Sequence, residues 1–159
     1  MMKKTVAFML TLVFALGLFA CGGAGEPTRL GTSDFSIVLP EGYGPAEDVM
    51  DEDQIAYYYK DDESIDFDVY QWEKDGQYTL EGEANALAAF YGTTAEAVVV
   101  NGLNAMKYVS LEEYEGNTYT VVNYLLEDEV YIVELCFWTV GTPEEYSDID
   151  AILNTLKKN

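Results

Sequence analysis

The spacing of turn residues between positions 96 and 140 restricts the fold of this chain more than any other feature. Ala97 to Val100, Leu103 to Leu111, Thr118 to Leu126 and Val130 to Val140 are four β-rich runs. Asn101-Gly102, Glu115-Gly116-Asn117 and Glu127-Asp128-Glu129 separate them. Asn-Gly is among the strongest two-residue hairpin signals, and connections this short can join only antiparallel neighbours. The four runs therefore make an antiparallel meander.

Strands also precede the meander. Phe35-Ser36-Ile37-Val38-Leu39 alternates and then stops at Pro40-Glu41-Gly42-Tyr43-Gly44, where proline and glycine end a strand in a tight exit. Ile55 to Lys60 and Ile65 to Trp72 are joined by the short acidic stretch Asp61-Asp62-Glu63-Ser64, which reads as a hairpin. In the second run Ile65, Phe67 and Val69 fall on one face while Asp66, Asp68, Tyr70 and Trp72 fall on the other. One face should be core and the other wet.

Two segments carry helical periodicity. From Thr79, the residues Leu80, Ala84, Leu87, Ala88 and Tyr91 recur on one side and the pattern ends near Gly92. At the C-terminus, Thr142 reads as N-cap, Pro143 as first helical residue and Glu145 as the partner in a capping box. Ile149, Ile152, Leu153 and Leu156 form its stripe, with Glu144 and Glu145 at the positive end of the helix dipole and Lys157 and Lys158 at the negative end. The expected class is α+β: an antiparallel sheet of about six or seven strands, built from hairpins and a C-terminal meander, with both helices packed on one face.

The Phe-Ser-Ile-Val-Leu-Pro-x-Gly-Tyr opening at 35–43, the hairpin, the helix, the Asn-Gly turn inside a meander and the final amphipathic helix together resemble the PsbP-like superfamily over residues 33–157. That resemblance implies an antiparallel sheet with helices packed on it, in a family whose members mostly bind proteins or assist assembly. It carries no catalytic residue onto these positions.

The N-terminus gives an address. Met1-Met2-Lys3-Lys4 is a basic start, and Val6 to Ala20 is apolar for roughly 15 residues, the length of a signal h-region and too short to span a bilayer. Leu18-Phe19-Ala20-Cys21-Gly22 resembles a bacterial lipobox, with Phe19 bulkier than is usual there. The resemblance implies cleavage after residue 20 and diacylglycerol on Cys21, which would anchor the chain to the outer side of a cell membrane. Acyl chains on one cysteine hold firmly, since each buried methylene contributes about 0.8 kcal/mol. Residues 21–28 then form the lipidated cysteine and a glycine-rich leash with a reach on the order of 15 Å, and 29–159 a single domain.

Composition narrows the function. With Lys3 and Lys4 gone, 6 basic side chains face 29 acidic ones, a net charge of −23. Such a surface repels nucleic acid and anionic lipid heads. It suits cations, neutral ligands, or a protein partner with a basic or mixed surface, and it serves solubility as well. The chain has no histidine, so Ser-His and Cys-His catalysis and imidazole metal sites are excluded. Cys136, the one cysteine in the domain at 29–159, lies in an apolar run and reads as a buried, unpaired, quiet thiol.

Candidate sites are few. Asp61, Asp62 and Glu63, with Asp66 and Asp68 near them, could at most make a weak calcium site. An EF-hand loop starting at Asp61 or Asp51 would need glycine where Asp66 and Ala56 stand. Lys107 and Ser110 are three apart on a strand and so point to opposite faces, which removes a Ser-Lys pair. Tyr57, Tyr58, Tyr59, Tyr70 and Trp72 lie on adjacent strands, as core or as a contact surface. The candidate binding face is Asp66, Asp68, Tyr70 and Trp72: carboxylates for steering and rings for contact area. No catalytic residue and no cofactor is indicated. The expectation is a monomeric, non-catalytic binding or assembly module. A small-ligand or calcium binder stands as one alternative, and a glycan-cleaving enzyme working through paired carboxylates as another.

Overall fold

A computed structural model describes residues 25–46, 53–60, 65–74, 76, 79–143 and 146–159. The signal segment, Cys21 and the acidic turn Asp61-Asp62-Glu63 lie outside the described residues. In chain order the elements are β1 (Thr28–Arg29), β2 (Phe35–Ile37), β3 (Tyr43–Pro45), β4 (Gln54–Lys60), β5 (Asp66–Glu73), α1 (Leu80–Phe90), β6 (Glu96–Val100), β7 (Leu103–Tyr114), β8 (Asn117–Glu127), β9 (Tyr131–Thr139), α2 (Ser147–Leu153) and β10 (Lys157–Lys158). The class is α+β. Seven strands make one sheet in the order β3-β4-β5-β9-β8-β7-β6, and β1-β2-β10 make a small second sheet. Every pairing among them is antiparallel.

The meander forms as its turns require. Asn101 and Gly102 have φ of 45° and 81°, and Glu115 and Gly116 have 49° and 82°. Both central residues of each hairpin are thus left-handed, the geometry that matches strand twist and that glycine adopts without a steric penalty. Asn101 also donates from Nδ2 to the Leu156 carbonyl at 2.9 Å, tying the first hairpin to the C-terminus. The turn before β9 is held by Asp128. Its Oδ1 accepts from the backbone N–H of Val130 and Tyr131 (2.8 and 2.7 Å), and its Oδ2 from that of Asp34 at 2.9 Å.

Alternation along β9 decides the layering. Val133, Leu135 and Phe137 point to one side, where they pack with Phe67, Val69, Val122 and Leu126. Ile149, Ile152 and Leu153 of α2 and Leu30, Phe35 and Ile37 around the small sheet close that core. Ile132 points to the other side, where Ala84 and Ala88 of α1 sit on Met106, Tyr108 and Leu125. The two helices therefore cover opposite faces of the large sheet, a correction to the one-face packing expected from their stripes. An apolar stripe specifies which side of a helix is buried, not which side of a sheet receives it.

The last helix is also shorter than its pattern. Tyr146, not Thr142, is its N-cap and supplies no side-chain capping bond, while Glu144 and Glu145 lie outside the described residues. Pro143 instead accepts the Tyr146 N–H at 3.0 Å in a turn. The first helical turn is pinned from the sheet, since Asp148 accepts from Tyr43 Oη and Lys60 Nζ, both at 3.2 Å. Leu156 keeps its place in the core but follows the helix, and Lys157 and Lys158 pair with β2 rather than ending a helix. Two smaller differences lie upstream. Tyr43–Pro45 is a strand where a tight exit was expected, and Thr28, the end of the expected leash, already pairs with Ile37.

Candidate binding cleft

Helix α1 begins where Thr79 Oγ1 accepts the Gly82 N–H at 3.0 Å, and Glu81 and Glu83 sit favourably in its first turn. Its eleven residues rise only about 16 Å, whereas the twelve residues of β7 run about 40 Å. The helix therefore covers one end of its face and leaves the other open. Ala84 and Ala88, the small residues that touch the sheet, let it lie close.

The open end is a cleft. A cavity of about 480 Å³ runs from α1 across β5, β9, β8 and β7, with Trp72, Glu83, Tyr91, Tyr108, Glu134 and Trp138 among its walls. A second, of about 270 Å³, adjoins it and shares Tyr70 and Trp138, reaching Tyr57, Asp66, Asp68, Tyr114 and Tyr119. The β5–β9 register explains the convergence, because Asp66, Asp68, Tyr70 and Trp72 lie opposite Trp138, Cys136, Glu134 and Ile132.

The four residues singled out from the sequence thus share this face, but their surroundings differ from a wet surface. Asp68 is only 6% exposed, and Trp72 packs in part against the α1 cluster. Trp138 Nε1 donates to Asp68 Oδ2 at 2.6 Å and Gln54 Nε2 donates to Oδ1 at 2.5 Å. Tyr57 Oη donates to Asp66 Oδ2 at 2.7 Å. Of the tyrosine run, Tyr58 turns to the opposite core and stacks on Phe67 (4.9 Å), while Tyr57 and Tyr59 stack on the cleft side (6.3 Å). Ser110 lies on this face opposite Val121, whereas Lys107 lies on the other, over the Tyr124 ring. Among the described residues no group of three or more Asp, Glu or Cys is placed to hold a metal ion.

The carboxylate at the centre is one that the sequence reading missed. Glu134 is 6% exposed, and Tyr108 Oη donates to its Oε1 at 2.7 Å. Burial, with the nearby charges of Glu112 and Glu83, pushes it up to about 7 in spite of the Tyr108 hydrogen bond. Burial likewise raises Glu112, which accepts from Ser110 Oγ at 3.1 Å, and raises Asp68 against the donors of Trp138 and Gln54. Cys136 is 7% exposed, a free thiol raised well above its ordinary range by burial and then by Glu134. It lines the cleft rather than the main core. A charged residue amid the apolar run Tyr131 to Val140 was the signal that could have found Glu134, since a strand buries such a group only beside partners.

The fold, an antiparallel sheet flanked by helices, is similar to that of solved structures, a cyanobacterial PsbP among them. Two solved structures carry the likeness. CyanoP, the cyanobacterial PsbP of Synechocystis, is 13% identical over 90% of this chain and 99% of that one, with a TM-score of 0.53. A protein of Bacteroides thetaiotaomicron is 16% identical over 86% of this chain, with a TM-score of 0.63; this chain spans about half of its length, 49%. LpqN, involved in cell envelope biogenesis of Mycobacterium tuberculosis, is 10% identical over 86% of each chain, with a TM-score of 0.47. No protein-family model and no curated protein matches the sequence. Among the described residues no helix is long and apolar enough to cross a membrane.

Proposed function

We propose that this chain is a non-catalytic binding module, held by lipid on Cys21 at the outer side of a cell membrane, which docks a protein partner of basic or mixed surface on the open half of its large sheet. The observation that carries this reading is the cleft itself: a recess walled by aromatic rings and carboxylates, with no lysine or arginine among the described residues that line either cavity. Rings supply contact area at low entropic cost, and the net charge steers a basic surface toward them. A short leash raises the local concentration of that surface for weak partners.

Two experiments test the two halves. Cells carrying Cys21→Ser should release the protein from the membrane fraction; retention would end the anchoring claim. A photo-crosslinking residue at Tyr114, on the cleft rim and 52% exposed, should trap a discrete partner in living cells. The same residue at Leu111, 72% exposed on the opposite face, should not. Equal adducts from both positions, or none from Tyr114, would contradict the docking face.

A further inference from the structure

We infer that the larger cavity is a receptor for an organic ammonium group, a cationic head carried on a short apolar stem. The inference rests on the reading of the open half-sheet as a binding face and adds the chemistry of what enters it.

Charge balance points there first. Asp53, Glu83, Glu112 and Glu134 line the cavity, and Asp68 lies on the same face where β5 pairs with β9. The bonds to Asp68, Glu112 and Glu134 described above come from neutral donors: an indole, an amide and two hydroxyls. The ion pairs among the described residues, Arg29 with Asp34, Lys60 with Asp148 and Lys74 with Glu127, all lie elsewhere. Burial first, then the neighbouring charges of Glu112 and Glu83, disfavour the ionised form of Glu134, and one positive group in the cavity would favour it.

The nature of the walls then selects the kind of cation. Calcium draws six to eight oxygens to about 2.4 Å, and among the described residues no three acidic or thiol groups are placed to hold a metal ion. The carboxylates are instead spread around a recess of about 480 Å³, within the range of small-molecule sites. Between them stand Tyr70, Trp72, Tyr91, Tyr108 and Trp138, whose faces attract diffuse, weakly hydrated cations. Tyr91 and Tyr108 stack at 6.1 Å along one wall. Leu87, Val121 and Cys136 offer apolar surface for a stem. A large soft cation satisfies both sets of walls; a small hard one satisfies neither.

The chain's two tryptophans, Trp72 and Trp138, both line this cavity, so their fluorescence reads its occupancy directly. The mature domain is titrated with choline, with n-butylamine and with a lysine-bearing peptide. Controls at matched ionic strength are 3,3-dimethylbutanol, the same peptide acetylated on its lysine, and calcium chloride. At least one ammonium probe should give a saturable change, binding about tenfold or more tighter than its neutral counterpart. Glu112→Gln, which keeps the acceptor for Ser110 and so preserves the local structure, should weaken that binding about fivefold or more. Tighter binding of the peptide assigns the head group to a partner's lysine, and tighter binding of choline or butylamine to a free amine. Neutral probes that bind as well as the cations, or no saturable change with any cation, would overturn the inference. Saturable ammonium binding without a Tyr114 adduct in cells would uphold the receptor and remove the protein partner. An adduct without ammonium binding would do the reverse.

Discussion

At the scale of single residues, the chain's buried acids set its response to pH. Glu134 has a folded pKa near 7 against an ordinary value of 4.5, so between those limits the folded state keeps a proton that the unfolded chain has released. Stability must then fall as pH rises through that window and level off above it, by an amount on the order of 3 kcal/mol for this group alone. Asp68 and Glu112 are displaced in the same direction and add to the slope. Denaturant melts at pH 5 and pH 7.5 should show the higher midpoint at pH 5, and Glu134→Gln should flatten the difference; a midpoint that rises with pH would contradict the assignment. Asp128 behaves oppositely. Burial works to raise it, yet the backbone N–H groups of Tyr131, Asp34 and Val130 together hold it below its ordinary 3.8, so its contribution is present above that value and lost in acid. Asp128→Ala leaves those donors without an acceptor and should cost about 1–3 kcal/mol at neutral pH, measured by urea unfolding.

At the scale of elements, the turns were legible and the ends of α2 were not. Gly102 and Gly116 announce left-handed positions that few other residues tolerate, and the Thr79 cap marks α1 in the same local way. Thr142-Pro143 gives an equally good local signal, but Asp148 is held by Tyr43 and Lys60 from strands about a hundred residues earlier, and that tertiary grip sets where the helix starts. The small sheet escaped notice because strands of two or three residues carry no readable period, and β10 meets β2 across nearly the whole domain. Glu115 shows an element carrying local strain, since a glutamate occupies a left-handed position at φ 49°. Glu115→Asn should stabilise the β7–β8 hairpin by a few tenths to about 1 kcal/mol, because asparagine adopts that conformation more readily. A lower melting temperature in that variant would show that Glu115 makes an interaction outweighing its strain.

At the scale of the whole molecule, the sequence indicated the cleft's floor but not its roof. Strand alternation brought Asp66, Asp68, Tyr70 and Trp72 to one face, as the β5–β9 register shows. It could not show that α1 covers one end of that face while α2 packs on the opposite face, because the side of a sheet on which a helix packs depends on chain handedness and core volume rather than on the helix's own stripe. The consequence is that the four residues line a recess, with Asp68 buried, instead of forming an open wet surface. On the proposed function, this recess docks a basic partner. The most direct measurement is the affinity of the immobilised domain for the partner trapped from Tyr114, compared between the natural chain and a Tyr70→Ala, Glu112→Gln double variant. Affinity should fall about tenfold or more in the variant, and in the natural chain it should weaken as salt shortens the Debye length from about 10 Å at 0.1 M toward about 3 Å at 1 M, while the two proteins melt within a few degrees of each other. Unchanged affinity in a folded double variant, or binding indifferent to salt, would contradict it.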